Sequence, residues 1–292
     1  MKMLDALAPA IAIGETGTQV PPWVAFEWPE SLALLAADEG GRKHYLKNGK
    51  APRLGDIMAY PALVKTLKHI ARHGRDGFYD GEIADEIVSH LKTRGGLLTR
   101  KDFTQASSTW VKPISIQFAG HDIVEIPPNG QGLTVLIALN ILKHFGLSRF
   151  DAESPERRHL EIEALKLAWE LRNRHVADPD FADIPLGDLL SADTAQRLAS
   201  QIDMNRCLDV RVALPGSDTV YLTVVDQDRL SVSFINSIYF GFGSGIVTPK
   251  SGLTLQNRGH GFSAIPCHPT CIGPAKRPIP PHIPALVDSA AL

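Results

Sequence analysis

The sequence predicts an α+β fold, and three observations lead to this class. Apolar side chains recur at helical spacing through much of residues 1–110, whereas residues 112–126 and the run that begins at 219 alternate apolar and polar side chains as strands do. The 292-residue chain is also 44% hydrophobic and 21% charged. That composition is typical of a globular protein with a sizeable core.

Helix signals dominate the first part of the chain. Residues 61–73 begin with proline and are followed by Gly74, which predicts a helix with both ends marked. Residues 81–91 place Ile83, Ile87 and Leu91 on one stripe, and Gly95-Gly96 follows as a stop. These two segments are predicted to be helices.

The middle of the chain mixes strands and helices. Residues 112–126 predict two short strands joined at Gly120. Pro127-Pro-Asn-Gly-Gln-Gly132 then opens a helix over 133–145. This motif lacks the later glycine and the Lys-Ser/Thr pair of a phosphate-binding loop, which favours a plain strand-to-helix turn. Helical spacing predicts a further helix near 155–176.

Four strands are predicted after residue 218: 219–225, 230–235, 245–247 and 253–255. The first two flank Asp226-Gln-Asp-Arg229 and predict a hairpin. Centring the turn on Asp228 pairs apolar with apolar side chains, whereas a slip of one residue mixes the two faces. The favoured register sets Thr219 opposite Ser237, within reach of a hydroxyl–hydroxyl hydrogen bond. Hydroxyl pairs of this kind also occur in β-sheets where they have no catalytic role.

Bulk properties limit the partners and the location. A net charge of −2 does not favour nucleic acid as a partner. No run of 18 apolar residues predicts a membrane span, and the N-terminus is only superficially like a signal peptide. We expect a soluble, cytoplasmic protein unless an export signal precedes this sequence.

The three cysteines do not form a disulfide framework. Cys267-His-Pro-Thr-Cys271 has the look of a metal clip but lacks a second ligand pair, which favours incidental thiols. The sequence predicts no metal and no other cofactor.

Several motifs, collinear over nearly the whole chain, resemble the γ-glutamyltranspeptidase family of N-terminal-nucleophile hydrolases. The most telling is Asp218-Thr-Val-Tyr-Leu-Thr-Val-Val-Asp226. The others are Leu4-Asp-Ala-Leu-Ala-Pro-Ala-Ile11, Asp76-Gly-Phe-Tyr-Asp-Gly-Glu-Ile-Ala84, Gly95-Gly-Leu-Leu-Thr-Arg-Lys-Asp102, Pro127-Pro-Asn-Gly-Gln-Gly132, Glu163-Ala-Leu-Lys-Leu-Ala168, Asp178-Pro-Asp-Phe181, Gly241-Phe-Gly-Ser-Gly245, Asn257-Arg-Gly-His-Gly-Phe-Ser263 and Lys276-Arg-Pro278.

The resemblance implies a zymogen that cuts itself between Asp218 and Thr219. Thr219 then becomes an N-terminal nucleophile whose own amine serves as its base. Ser237 matches the hydroxyl residue that orients the nucleophile, and Tyr239 is a weaker candidate beside it. The implied activity is that of a hydrolase or acyltransferase acting on a small-molecule amide, as in glutathione metabolism.

Departures from the family pattern point to the acylase and amidohydrolase branch. Arg258 and Gly261 stand where true γ-glutamyl transferases hold the α-amino group of the substrate. Arginine suits a carboxylate instead, although a structural salt bridge is an equal alternative. Pro280-Pro281 replaces a pair of small hydroxyl residues that helps bind the substrate carboxylate in those transferases.

The resemblance also implies an α-β-β-α sandwich that is incomplete here. The family extends before Met1 and beyond Leu292, where a Gly-Gly segment forms the oxyanion hole. Missing strands are expected to leave apolar faces uncovered. The chain corresponds to a large-subunit-like part, 1–218, and the start of a small-subunit-like part, 219–292. These form one intertwined domain and stay associated after self-cleavage, and self-association into a homo-oligomer stays open.

Two alternatives to an active enzyme remain at this point. One is a catalytically inactive, truncated remnant of such an enzyme. The other is a binding module for a small carboxylate, which only Arg258 favours.

Overall fold

The structure, a computed structural model, describes residues 1–210, 218–280 and 283–288. Two compact units share the chain. The first comprises residues 1–109 and 238–257, and the second comprises 110–237 and 258–292. Each unit therefore draws residues from both sides of position 219.

The first unit is mainly helical, as the sequence predicts. Short strands β1 (Thr18–Gln19) and β2 (Ile57–Met58) pair antiparallel within it, and Trp28–Ser31 is a 3₁₀ helix. The helices are α1 (Met3–Thr16), α2 (Pro22–Glu27), α3 (Leu32–Ala36), α4 (Glu39–Tyr45), α5 (Pro61–His73), α6 (Asp76–Tyr79), α7 (Glu82–Lys92) and α8 (Arg100–Thr104). The predictions for α5 and α7 are confirmed, with Gly81 standing just before α7.

A buried aspartate ties the later segment of this unit to its helices. Asp38 is 3% exposed and accepts hydrogen bonds from the backbone N–H groups of Gly40 (2.9 Å) and Val247 (3.2 Å). A Cβ at Gly40 would collide with the carbonyl of Val247, so the close approach requires glycine. Residues 238–257 are thus held by capping of α4 as well as by apolar packing.

The second unit contains a small sheet and the longest helices. Strands β3 (Ile114–Phe118) and β4 (His121–Glu125) pair antiparallel with Ile116 opposite Ile123, and β7 (Leu286–Asp288) joins the free edge of β4. The other elements are α9 (Gly132–Leu142), the 3₁₀ turns Lys143–Phe145 and Leu147–Arg149, α10 (Pro155–His175), α11 (Leu186–Leu189), α12 (Ala192–Ala199), β5 (Asp218–Val225), β6 (Ser231–Tyr239) and the 3₁₀ helix Arg258–Gly261.

The core of this unit lies between α9 and α10. Nine of the eleven residues of α9 are buried, which explains why that helix is apolar all round rather than striped. The α10 side packs Leu160, Ala164 and Leu167 against it. Burial of these aliphatic side chains is the main contribution to the stability of the unit.

Two strand predictions are wrong. Residues 245–247 and 253–255 form only one isolated bridge, Val247 with Thr254, because this glycine-rich stretch turns too often to sustain a ladder. By contrast, β6 extends four residues beyond its predicted end at 235. Among the described residues, no helix is long and apolar enough to cross a bilayer.

Candidate active site

The hairpin of β5 and β6 carries the residues expected to do chemistry. Its turn is held by Asp226, whose N–H donates to the carbonyl of Leu230 at 3.1 Å and whose carboxylate accepts from the N–H of Leu230 at 2.8 Å. Residues 226 and 230 therefore face each other, which is the register favoured from the sequence. Counting back along both strands sets Thr219 opposite Ser237.

The predicted hydroxyl contact is present in the structure. Thr219 Oγ1 donates to Ser237 Oγ at 3.1 Å, with Thr219 exposed and Ser237 half-buried. On the same face, the hydroxyl of Tyr221 contacts that of Ser233 at 2.9 Å. In the uncut chain the backbone nitrogen of Thr219 is an amide, which cannot accept a proton. A base appears only when that nitrogen becomes an amine.

The bond proposed for cleavage lies at the start of β5. The strand begins at Asp218, whose side chain lies outside the described part of the structure, as do residues 211–217. The backbone therefore places the Asp218–Thr219 peptide bond at the start of β5.

Arg258 lies beside β6, the other strand of the hairpin. It begins the 3₁₀ helix Arg258–Gly261, is half-buried, and donates from Nη2 to the carbonyl of Ser237 at 3.3 Å. The structure therefore brings Arg258 to the residue that contacts Thr219.

Tyr239 has a different setting from Thr219 and Ser237. It ends β6 with a positive φ of 85° and belongs to the first unit. Its side chain is 4% exposed, and its ring lies 4.7 Å from that of Phe240. Such burial is what a packing residue shows.

The motif around Lys276-Arg-Pro278 is fastened by an ion pair that the sequence did not predict. Arg277 donates to the buried carboxylate of Asp178 from its backbone N–H (2.7 Å), Nε (3.1 Å) and Nη2 (2.7 Å). Burial acts to raise the pKa of Asp178, but these charge-assisted bonds together hold it below its usual value.

The turn between β4 and α9 fastens the same segment. Asn129 Nδ2 donates to the carbonyl of Pro278 at 2.8 Å, and Gln131 Nε2 donates to that of Pro280 at 3.1 Å. The glycine-containing motif is thus a strand-to-helix turn whose side chains hold a distant loop. Pro281 lies outside the described residues.

Glu125 is a buried carboxyl that the sequence reasoning missed. It is 1% exposed, and burial raises its pKa to about 7 although the backbone N–H of Ile126 acts to lower it. Its carboxyl lies against Gly132, where any Cβ would clash. The alternation of side chains along β4 could have indicated this burial, because Glu125 lies on the same inward face of the strand as Ile123.

Two sizeable cavities lie elsewhere. One of 1010 Å³ lies among α5, α7 and the loop at Pro249–Ser251, and one of 720 Å³ lies beside Pro127 and Phe181. Neither is lined by Thr219 or Ser237. The candidate nucleophile instead stands on an accessible hairpin surface.

Comparison with known proteins decides the family. Residues 1–290 match the sequence model described as Gamma-glutamyltranspeptidase. The chain belongs to the γ-glutamyltranspeptidase family. The glutathione hydrolase-like YwrD proenzyme of Bacillus subtilis is 36% identical to it, over 98% of this chain and 54% of that protein. The oxamate amidohydrolase proenzyme of Klebsiella pneumoniae is 34% identical, over 93% of this chain and 51% of that protein.

Solved structures of the family agree with this assignment. The cephalosporin acylase from Bacillus halodurans superposes with a TM-score of 0.90 and 36% identity, over 99% of this chain and 54% of that one. The chain thus spans about half the length of the γ-glutamyltranspeptidase relatives that it matches.

Proposed function

We propose that the protein is a threonine hydrolase or acyltransferase that cuts itself before Thr219 and then cleaves an amide of a small carboxylate-bearing substrate. The observation that carries this proposal is the 3.1 Å contact between Thr219 Oγ1 and Ser237 Oγ at the start of β5. Its support is membership of the γ-glutamyltranspeptidase family and the proenzyme names of its relatives.

In the first step, Thr219 Oγ1 adds to the carbonyl carbon of Asp218 and its proton passes to the departing nitrogen. The C–N bond breaks, leaving an ester between Asp218 and Thr219 Oγ1. Water then hydrolyses the ester, giving a carboxylate at 218 and a free hydroxyl and amine at 219. Ser237 accepts the hydrogen bond that aims Oγ1 in the uncut chain.

In the second step, the new α-amine accepts the hydroxyl proton, since its pKa of about 7.7–8.0 suits a base at neutral pH. Thr219 Oγ1 attacks the carbonyl carbon of the substrate amide. The C–N bond of the substrate breaks, its amine leaves with the proton that the α-amine of Thr219 had accepted, and an acyl ester forms on Thr219. Water or an acceptor amine removes the acyl group. No metal or organic cofactor is needed for this sequence.

The position of Arg258 favours a substrate that carries a carboxylate. Its guanidinium is held against the carbonyl of Ser237, beside the nucleophile. Glutaryl, oxamate and γ-glutamyl amides all present such a group, and two relatives are named for oxamate and cephalosporin substrates. Replacing Arg258 with glutamine should raise KM by about 10-fold or more, the value of a charge-assisted hydrogen bond.

We also propose that the described elements belong to an α-β-β-α sandwich in which position 218/219 is a processing site rather than a domain linker. Parts 1–218 and 219–292 then stay associated as large-subunit-like and small-subunit-like pieces. The composition of the two units, each with residues from both sides of 219, supports this arrangement.

Electrophoresis of the purified chain tests the proposal. Two fragments should appear, the smaller beginning at Thr219 by N-terminal sequencing. Thr219→Ala should abolish the cut, whereas Thr223→Ala, the same change on the same face of β5, should leave it intact. An uncut wild-type chain, or cleavage that persists in Thr219→Ala, rejects the proposal for this polypeptide.

A further inference from the structure

A cluster of three side chains that can bind metals lies beside α10, and none of the three belongs to the β5–β6 hairpin. His159 and Glu163 are one helical turn apart, and the segment after α12 returns to place Cys207 beside them. One ligand atom from each residue lies within 4.8 Å of the other two. An isolated bridge between Asp203 and Arg206 makes the turn that brings Cys207 back to the helix.

The imidazole of His159 is oriented by a backbone group. Its Nε2 lies 2.8 Å from the carbonyl oxygen of Asp203. A carbonyl only accepts hydrogen bonds, so Nε2 carries the proton and Nδ1 of the neutral ring keeps a lone pair. Metal-binding histidines commonly have this support, one ring nitrogen donating to a carbonyl while the other meets the ion.

The carboxylate of Glu163 is oriented as well. The side chain is 1% exposed, and it accepts hydrogen bonds from Lys166 Nζ (2.7 Å) and from the N–H of Leu208 (2.7 Å). Each carboxylate oxygen accepts one of these hydrogen bonds and has a second lone pair.

The ion pair with Lys166 explains why a carboxylate is tolerated at this buried position. It does not explain why an oriented imidazole and a thiol stand beside it. Cys207 is exposed, so its thiol is accessible to an ion from solvent.

We propose that His159, Glu163 and Cys207 bind a divalent transition-metal ion of the Zn²⁺ class, with water as the fourth ligand. Nitrogen, oxygen and sulfur donors suit Zn²⁺, whereas Mg²⁺ and Ca²⁺ prefer oxygen alone. Ligand distances of about 2.0–2.3 Å require donor atoms roughly 3.3–3.8 Å apart in a tetrahedron. Because the ligand atoms lie within 4.8 Å of one another, the cluster closes by at most about 1.5 Å on binding. The exposed side chain of Cys207 provides that movement by rotation about χ1.

The ion would fasten the segment 203–208 to α10. That segment leads, through residues outside the described part of the structure, to β5 and Thr219. The proposed reaction at Thr219 makes no use of this ion.

Isothermal titration of the chelator-treated full chain with ZnCl₂ tests the site. We expect one Zn²⁺ per chain, and Cys207→Ser and His159→Gln should each weaken binding at least 10-fold. Cys267→Ser, which removes another exposed thiol, is the matched control and should leave the affinity unchanged. Far-UV circular dichroism verifies that each variant is folded.

Cobalt gives a second readout. Co²⁺ bound to a thiolate has a sulfur-to-metal charge-transfer band, and Cys207→Ser should remove it while Cys267→Ser retains it. Absence of Zn²⁺ binding overturns the proposal. So does binding that survives both Cys207→Ser and His159→Gln but is lost in Cys267→Ser, since it would place the ion at Cys267, His268 and Cys271 instead.

Discussion

At the scale of single residues, Thr219 is made distinctive by its neighbour and by its position rather than by an altered side chain. Its hydroxyl lies 3.1 Å from that of Ser237 on β6. Four residues earlier on β6, the hydroxyl of Ser233 lies 2.9 Å from that of Tyr221. The two contacts are alike in kind. What separates them is that Thr219 directly follows the first residue of β5, where cleavage would give it an amine.

Replacing Ser237 with alanine should slow self-cleavage by about 100-fold, because the oxygen of Thr219 loses the group that orients it. Ser237→Thr keeps the hydroxyl and should restore most of the rate. Ser233→Ala makes the same change on the same face of β6 and serves as the control. Appearance of the smaller fragment over time measures each rate. Equal rates in Ser237→Ala and Ser233→Ala would remove Ser237 from the site.

Glu125 should make the folded state less stable as pH rises. Its pKa is about 7 in the folded protein and about 4.3 in an unfolded chain, so between these values the folded state binds more protons. Stability from the protonated carboxyl is present below about pH 4 and is lost as pH rises through 7.

The Glu125→Gln variant should therefore gain stability relative to wild type between pH 5 and pH 8, by on the order of 2–3 kcal/mol. Urea unfolding at several pH values measures the difference. Asp122→Asn, on the same strand with a side chain that is not buried, is the control. A difference that stays constant with pH would show that Glu125 titrates normally.

At the scale of elements, the hairpin has two unlike faces. One carries the hydroxyls, and the other is apolar and 44% to 68% exposed at each large side chain. The apolar face consists of Val220, Leu222, Val224, Val232 and Phe234. A contiguous apolar surface of this kind, on an exposed two-stranded ribbon, favours association.

The purified chain should accordingly self-associate as its concentration rises, and Phe234→Thr should shift that association to higher concentration. Loss of the aromatic ring removes the largest single apolar area of the face. Ile162→Thr changes an equally exposed side chain, 53% exposed on α10 rather than on the hairpin, and should have no effect. Sedimentation velocity distinguishes the outcomes, and identical behaviour of both variants would exclude this face.

At the scale of the whole molecule, each compact unit contains residues from before and after position 219. In the first unit, Glu86 accepts the N–H of Lys250 at 2.7 Å, and Thr66 donates to the carbonyl of Ser251 at 2.8 Å. In the second unit, Arg277 binds Asp178, which lies on the other side of position 219 in the chain. Each compact unit therefore depends on both pieces of the chain.

Coexpressed pieces 1–218 and 219–292 should copurify without a covalent link, because each completes the packing of the other. The complex should resist dilution in buffer and dissociate in denaturant. Asp178→Asn combined with Asp38→Asn removes one anchor in each unit and should weaken recovery of the smaller piece. Recovery of each piece alone from the wild-type pair would contradict the intertwined arrangement.

Local patterns were sufficient for much of the fold. The ends of α5, the two strands around Gly120 and the register of the hairpin followed from proline and glycine positions and from alternation of faces. The strands expected at 245–247 and 253–255 did not form, because propensity over three residues is too weak against a turn-rich glycine segment.

The sequence by itself predicted the helices of the first unit and the pairing that brings Thr219 to Ser237, since these depend on periodicities of two or about 3.6 residues within short stretches. Its motifs, collinear over nearly the whole chain, also indicated the family. Only the tertiary structure decided the burial of Glu125, the ion pair between Asp178 and Arg277 and the proximity of His159 to Cys207. Such contacts join residues distant in the chain, and packing of whole elements, not local spacing, sets the distance between them.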